Sequence, residues 1–240
     1  MKYIGIFVLL ATVFTSCGWN DDDGLFGCER GEGPIVTKEL PVEDFEELDL
    51  EINAKVILRV GDRQEVLVEG QDNIIDLIEL DVRNDEWDIE FDDCVRDAER
   101  LVFTITTPFV REIKISGSGE VVSEDFLEAE RMDIRISGSG RVDLGLRADR
   151  TNARISGSGK LFLEGETDRL DLNISGSGDV RAFNYAAQRC DVNISGSGDV
   201  EVLVQDELDV KITGSGDVFY KGDPRIEVNI SGSGDVIDAN

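Results

Sequence analysis

The sequence predicts an all-β chain folded as a parallel β-helix, a solenoid of about 20 residues per coil, and three observations predict it. The pentapeptide ISGSG, once with Thr in place of its first Ser, begins at Ile115, Ile136, Ile155, Ile174, Ile194, Ile212 and Ile230. These seven copies are separated by 21, 19, 19, 20, 18 and 18 residues. Before each copy apolar and polar residues alternate, as in Met132, Asp133, Ile134, Arg135, Ile136, and a second alternation such as Val142, Asp143, Leu144 follows it. A period of two marks strands. No stretch between copies carries ten residues of helical periodicity, which disfavours a repeat built from a strand and a helix.

Aligning the copies predicts the core. One inward column holds Met132, Thr151, Leu170, Cys190, Leu208 and Ile226, and the next holds Ile134, Ala153, Leu172, Val192, Val210 and Val228. Beyond the motif comes a third column of Val121, Val142, Leu161, Val180, Val200, Val218 and Val236. Coils stacked in parallel about 4.8 Å apart would carry the seven motifs over about 29 Å. Glycines in the motif suit a place where the chain turns tightly or meets another backbone. The length differences fall in Ser123 to Arg131, Gly145 to Arg150 and Phe183 to Arg189, which are expected to be variable loops at a second corner.

Residues 35–108 alternate less regularly, around Lys55 to Val60, Glu65 to Glu69, Trp87 to Phe91 and Leu101 to Thr106, and read as earlier coils and an N-terminal cap. Residues 109–240 form the regular β-helix. The sequence stops at Asn240, ten residues after the last motif begins, which predicts an exposed final coil or an edge open to self-association.

The N-terminus reads as an address. Lys2 precedes an apolar run from Ile4 to Phe14, too short to span a bilayer, and small residues lead into Cys17. Phe14, Thr15, Ser16 and Cys17 resemble the lipobox of a bacterial lipoprotein signal, which implies removal of residues 1–16 and lipidation of Cys17. Residues 17–34 are acidic and glycine-rich, the composition of a mobile tether. The run Asp21, Asp22, Asp23 resembles the surface-export signal of Bacteroidetes lipoproteins, which implies an outer-membrane protein exposed at the surface; a plain spacer would leave it on the periplasmic face. With Cys17 lipidated, a disulfide between Cys28 and Cys94 would staple the tether to the domain, and Cys190 in its apolar column reads as an inert buried thiol.

Composition bounds the chemistry. The chain has 52 acidic and 24 basic residues, a net charge of -28 and no histidine. Such a surface repels phosphate backbones, which disfavours nucleic acid as a partner. Without histidine there is no Ser/His/Asp or Cys/His relay and no imidazole-bearing metal site. Any catalysis would rest on carboxylates, Lys or Tyr, and no cofactor is expected.

The seven ISGSG copies, the upstream block Phe45 to Arg59 and the lipoprotein-like leader resemble the head GIN domain family of putative auto-transporter adhesins over about residues 40 to 237. That resemblance implies a right-handed parallel β-helix and a role in adhesion or surface interaction, and it brings no catalytic residues. The sequence lacks the strand-rich outer-membrane barrel of a true auto-transporter, so only the head part of the name applies.

Two further features are candidates for function. Asp133, Asp171, Asp191, Asp209 and Glu227 form a carboxylate column broken by Asn152, and Asp179, Asp199, Asp217 and Asp235 form another. Paired acids admit a β-helix polysaccharide lyase or hydrolase as the alternative function, although an active site breaks regularity and these columns are regular. Neighbouring carboxylates one coil apart repel by roughly 0.9 kcal/mol even at the dielectric of water, and Ca²⁺ on Asp171, Asp191, Asp209 and Glu227 would relieve this. Arg135, Arg154 and Lys211, two residues further along the same face, offer cheaper relief. Ligand recognition is assigned to Phe126, Phe183 and Tyr185 on the expected loops, with Phe162 and Phe219 on an outward column, for a glycan or protein ligand. The reading is a lipid-anchored, non-catalytic binding or structural module of the cell envelope.

Overall fold

The computed structural model describes residues 27–240; the leader 1–16 and the lipidation site Cys17 lie outside the described residues. Strand accounts for 69% of the structure and helix for 2%, in a β-solenoid of about 7 turns with a spacing of about 19 residues. The chain is the expected parallel β-helix. Strands Glu120–Gly138, Arg141–Gly157, Lys160–Gly176, Asp179–Gly196 and Val200–Gly214 pair in parallel, each with the next. Val218–Lys221, Arg225–Gly232 and Val236–Asp238 close the series. The motifs are in register throughout: Ile136, Ile155, Ile174, Ile194, Ile212 and Ile230 stand side by side.

The period-two alternation seals the interior. Met132, Thr151, Leu170, Cys190 and Leu208 are at most 1% exposed, and the second and third columns are at most 3% exposed down to Val210 and Val218. Each fully buried Leu or Val in such a stripe stabilises the fold by about 1.5–3 kcal/mol. The final coil is open: Ile226, Val228 and Ile230 are 36%, 45% and 38% exposed. Ile212→Ala is therefore expected to cost about 3 kcal/mol in chemical denaturation, as for buried aliphatic truncations generally, and Ile230→Ala about 1 kcal/mol or less. Equal costs would contradict an open end.

The motif corner has two variants. In the upper coils the residue after the motif bonds back to a glycine: the Arg141 and Lys160 N–H groups donate to the carbonyls of Gly119 and Gly140 at 3.0 and 2.9 Å. Lower down Asp takes that position, and its carboxylate accepts from the backbone of the next coil. The Asp217 N–H donates to Asp199 at 3.2 Å and the Asp235 N–H to Asp217 at 2.8 Å. The Asp column is thus a backbone-satisfying ladder, which accounts for the GSGDV form of the later repeats.

The second corner departs from expectation. Ser123 to Arg131, Gly145 to Arg150 and Phe183 to Arg189 are not loops but lie inside continuous strands. The length differences are absorbed as register shifts, between Val122 and Phe126 and between Phe162 and Glu164 against the next coil. A bulge inserts a residue without breaking the ladder on either side.

Residues 35–108 contribute coils, but not in chain order. Glu86–Ile89 stacks on Glu47–Leu50, which stacks on Glu112–Gly117, and Val102–Thr107 stacks on Lys55–Val60, which stacks on Glu120–Gly138. The later segment of each parallel pair is therefore the outer one, and Glu65–Gln71 and Ile35–Glu39 lie beyond Val102–Thr107. The chain doubles back here: Glu65–Gln71 pairs antiparallel with both Ile35–Glu39 and Val102–Thr107. Trp87, fully buried, plugs this end between Phe45 and Phe103, with ring centroids at 5.4 and 5.9 Å, and its indole N–H donates to the Glu79 carbonyl.

The part of the tether within the described residues is held, not free. Cys28 is disulfide-bonded to Cys94, Glu29–Arg30 pairs with Val95–Arg96, and the Asn73 side-chain amide donates to the Arg30 carbonyl at 2.6 Å. The acidic composition predicts mobility, but one covalent bond and one bridge outweigh it here. Among the described residues, no helix is long and apolar enough to cross a membrane.

Candidate functional site

An apolar-floored depression lies along the motif corner. It is a groove of about 530 Å³ that crosses five coils. One wall is the residue before each motif isoleucine: Arg135, Arg154, Asn173, Asn193 and Lys211. The other is the hydroxyl column Ser137, Ser156, Ser175, Ser195 and Thr213, and the isoleucine row between them forms the floor. Period two creates this geometry: the flanking residues point out while each isoleucine points in.

The groove is acid-free in a strongly acidic protein. Lys114 and Ser116 continue the two walls in the coil above and Asn229 and Ser231 in the coil below, and none of these positions carries a carboxylate. The next outward column beyond the motif's second hydroxyl is the Asp179, Asp199, Asp217, Asp235 ladder, and the column on the opposite flank is the Asp133 to Glu227 ladder. Arg135 pairs with Glu112, whereas Arg154 and Lys211 make no ion pair among the described residues.

The upper part of the Asp133 to Glu227 ladder is paired with side chains, and the ladder as a whole stays negative. The Arg131 guanidinium donates to Asp133 at 2.6 Å, Asn152 donates to Asp133 at 3.0 Å, and Arg169 bridges Asp171 and Asp191 at 3.0 and 2.6 Å. Arg169 thus occupies two of the four carboxylates, Asp171 and Asp191, that a calcium ion on Asp171, Asp191, Asp209 and Glu227 would need. Desolvation, together with the neighbouring Asp171, still holds the Asp191 carboxyl above its ordinary value despite Arg169. A carboxyl raised by folding costs stability once pH exceeds its folded pKa, and that cost vanishes as pH falls through the folded pKa towards the unfolded one. Asp191→Asn is accordingly expected to melt higher than the parent at pH 7 and to converge with it near pH 3; a lower melt at pH 7 would refute this.

Three acids converge elsewhere, Asp49, Glu86 and Asp88, with ligand atoms within 4.8 Å of one another. Their counter-charge is Lys114, whose ammonium pairs with Glu86, and Ser116 donates to Asp49 at 3.3 Å. Burial pushes the Cys190 thiol up, as expected of an inert core cysteine.

A family model described as putative auto-transporter adhesin, head GIN domain, matches residues 44–224. The chain belongs to this family. Several solved structures share the fold. A putative adhesin from Bacteroides fragilis is 26% identical, with a TM-score of 0.82 over 87% of this chain and 99% of that one. A putative lipid binding protein from Parabacteroides distasonis is 24% identical, with a TM-score of 0.74 over 88% of this chain and 100% of that one. A putative adhesin from Parabacteroides merdae is 19% identical, with a TM-score of 0.71 over 88% and 99%. At those last two identities the likeness is one of fold alone. No curated protein matches the chain. The head GIN family is one of cell-surface or envelope proteins.

This head GIN domain does not bring the five aromatic candidates together. Tyr185 is fully buried, a correction to its reading as a recognition residue. The extra residue absorbed after Ala182 shifts the alternation so that Tyr185 falls on the inward parity, in register with Gly165, which has no side chain to compete for the space. Its hydroxyl meets Thr151 Oγ1 at 2.7 Å, satisfying both buried groups. Phe126, Phe162 and Phe183 stand on strands with cations over their rings: Arg147 at 4.5 Å, Arg141 at 3.7 Å and Lys221 at 4.4 Å from the centroids. Phe219 is half-buried between Glu201 and Ile237 of the adjoining coils. Phe126 remains exposed at 38%, but rings spread over different coils offer no shared platform. The groove was missed because its walls are small or charged residues, but the signal is in the sequence: no acid at alternate outward positions through seven repeats.

Proposed function

We propose that this head GIN protein is a non-catalytic, adhesin-like binding module, lipid-anchored through Cys17 at the outer membrane and facing the cell exterior. The observation that carries the reading is the regularity of the polar columns. Outward residues repeat from coil to coil, whereas an active site breaks such regularity, and part of each ladder is engaged within the fold: Arg169 holds Asp171 and Asp191, and Asp199 and Asp217 accept backbone N–H groups of the next coil. A rigid scaffold with repeated walls favours an extended ligand over a single reacting bond. Membership of a family described as adhesins, and the likeness to the Bacteroides fragilis putative adhesin, support the same role.

Protease digestion of intact cells tests the placement. Loss of the protein from intact cells is expected, and loss only after lysis would put the domain on the periplasmic face. Cys17→Ser should move the protein from the membrane to the soluble fraction; retention in the membrane would remove the anchor. Self-association through the last described coil belongs to the same proposal, since Ile226, Val228 and Ile230 line its open edge. Sedimentation should show a concentration-dependent dimer that Val228→Lys abolishes.

A further inference from the structure

We infer that the motif-corner groove is a binding site for a linear acidic polysaccharide lying along the solenoid axis. The inference rests on the binding-module reading and names its ligand class. Charge supplies the first argument. In a protein of net charge -28, Arg154 and Lys211 stand on the groove wall without an ion pair among the described residues. The carboxylate ladders on either flank repel an anion, so an anionic chain is admitted only lengthwise, between two negative ridges. A cationic polymer would settle on the ladders instead.

Spacing supplies the second argument. Coils recur about every 4.8 Å, close to the length of one pyranose unit, so successive sugars meet the same two walls. Arg154 and Lys211 are three coils apart, about 14 Å. Carboxylates at that interval meet a guanidinium and an ammonium, while the Asn173 and Asn193 amides and the Ser175 and Ser195 hydroxyls serve the sugar hydroxyls between them. The walls hold no aromatic ring, which disfavours a single-stranded nucleic acid that would need base stacking.

Calorimetric titration with a six-unit oligogalacturonate, and with the neutral galactose oligomer of equal length, tests this. At about 0.15 M salt, repulsion from the rest of the surface is screened beyond about 8 Å. The uronate is expected to bind roughly tenfold or more tightly than the neutral oligomer, and Arg154→Gln with Lys211→Gln should erase that margin without changing the melt. Ser175→Asp, at an exposed position on the opposite wall, should abolish uronate binding. Equal affinity for the two oligomers, binding of neither, or a margin that survives the double variant overturns the ligand class and leaves the binding-module reading standing. Uronate binding unaffected by Ser175→Asp overturns the groove as its site. Release of new reducing ends or unsaturated products overturns the binding-module reading itself.

Discussion

Gly157→Ala should destabilise the protein by about 3 kcal/mol or more, one of the largest effects expected of a single methyl group here. Gly157 has φ +120°, and a Cβ there would lie 2.5 Å from the Gly138 carbonyl oxygen of the coil above. That oxygen cannot retreat, because it accepts the Ser158 N–H at 2.8 Å. The substitution thus combines a backbone conformation open mainly to glycine with a clash against fixed backbone. At about 2–4 °C per kcal/mol for a domain of this size, the melting temperature should fall by about 6–12 °C. Gly145→Ala is the control: its Cβ would meet the Phe126 ring at 3.4 Å without a positive φ, and a change within about 0.5 kcal/mol is expected. Similar melts for the two variants would mean that the stack does not press its motif corners together.

Removing the Cys28–Cys94 disulfide should cost about 4 kcal/mol, the loop-closure entropy for cysteines 66 residues apart. The bond joins the N-terminal segment to Val95–Arg96 across a domain end built of short antiparallel and out-of-order strands. Thermal melts of the parent with and without a reductant should differ by about 10 °C, and Cys28→Ser should melt at the reduced value in both conditions. Cys190 should stay unreactive in the folded protein, since it is buried at 1% exposure. An unchanged melt on reduction would show that the segment adds nothing to global stability.

The repeat region was legible because its signals agree at every level. Period two placed Met132, Leu170 and Leu208 inward, and the structure buries all three. The motif glycines implied close backbone approach, and Gly138, Gly157 and Gly176 stand one above another with carbonyl oxygens 2.5 Å from where a Cβ would be. Tyr185 was misread because a one-residue bulge reverses parity, and nothing in the local composition of Ala182 to Ala187 marks where the extra residue is absorbed. The fold of residues 35–108 was legible as strands but not as a stacking order, because alternation tells which face is buried and not which neighbour covers it.

For the candidate site the division is similar. Arg154, Asn173, Asn193 and Lys211 could be aligned from sequence, but whether a cation is paired depends on reach: Arg169 finds Asp171 and Asp191, while Arg154 finds no carboxylate among the described residues. Sequence by itself determined the solenoid, its period, its inward stripes and the acid-free corner, because all of these follow from a local pattern repeated seven times. Only the tertiary structure decided the stacking order of the early coils, the inward turn of Tyr185 and the groove between two charged ridges. Those depend on distances across coils, which a one-dimensional pattern does not carry.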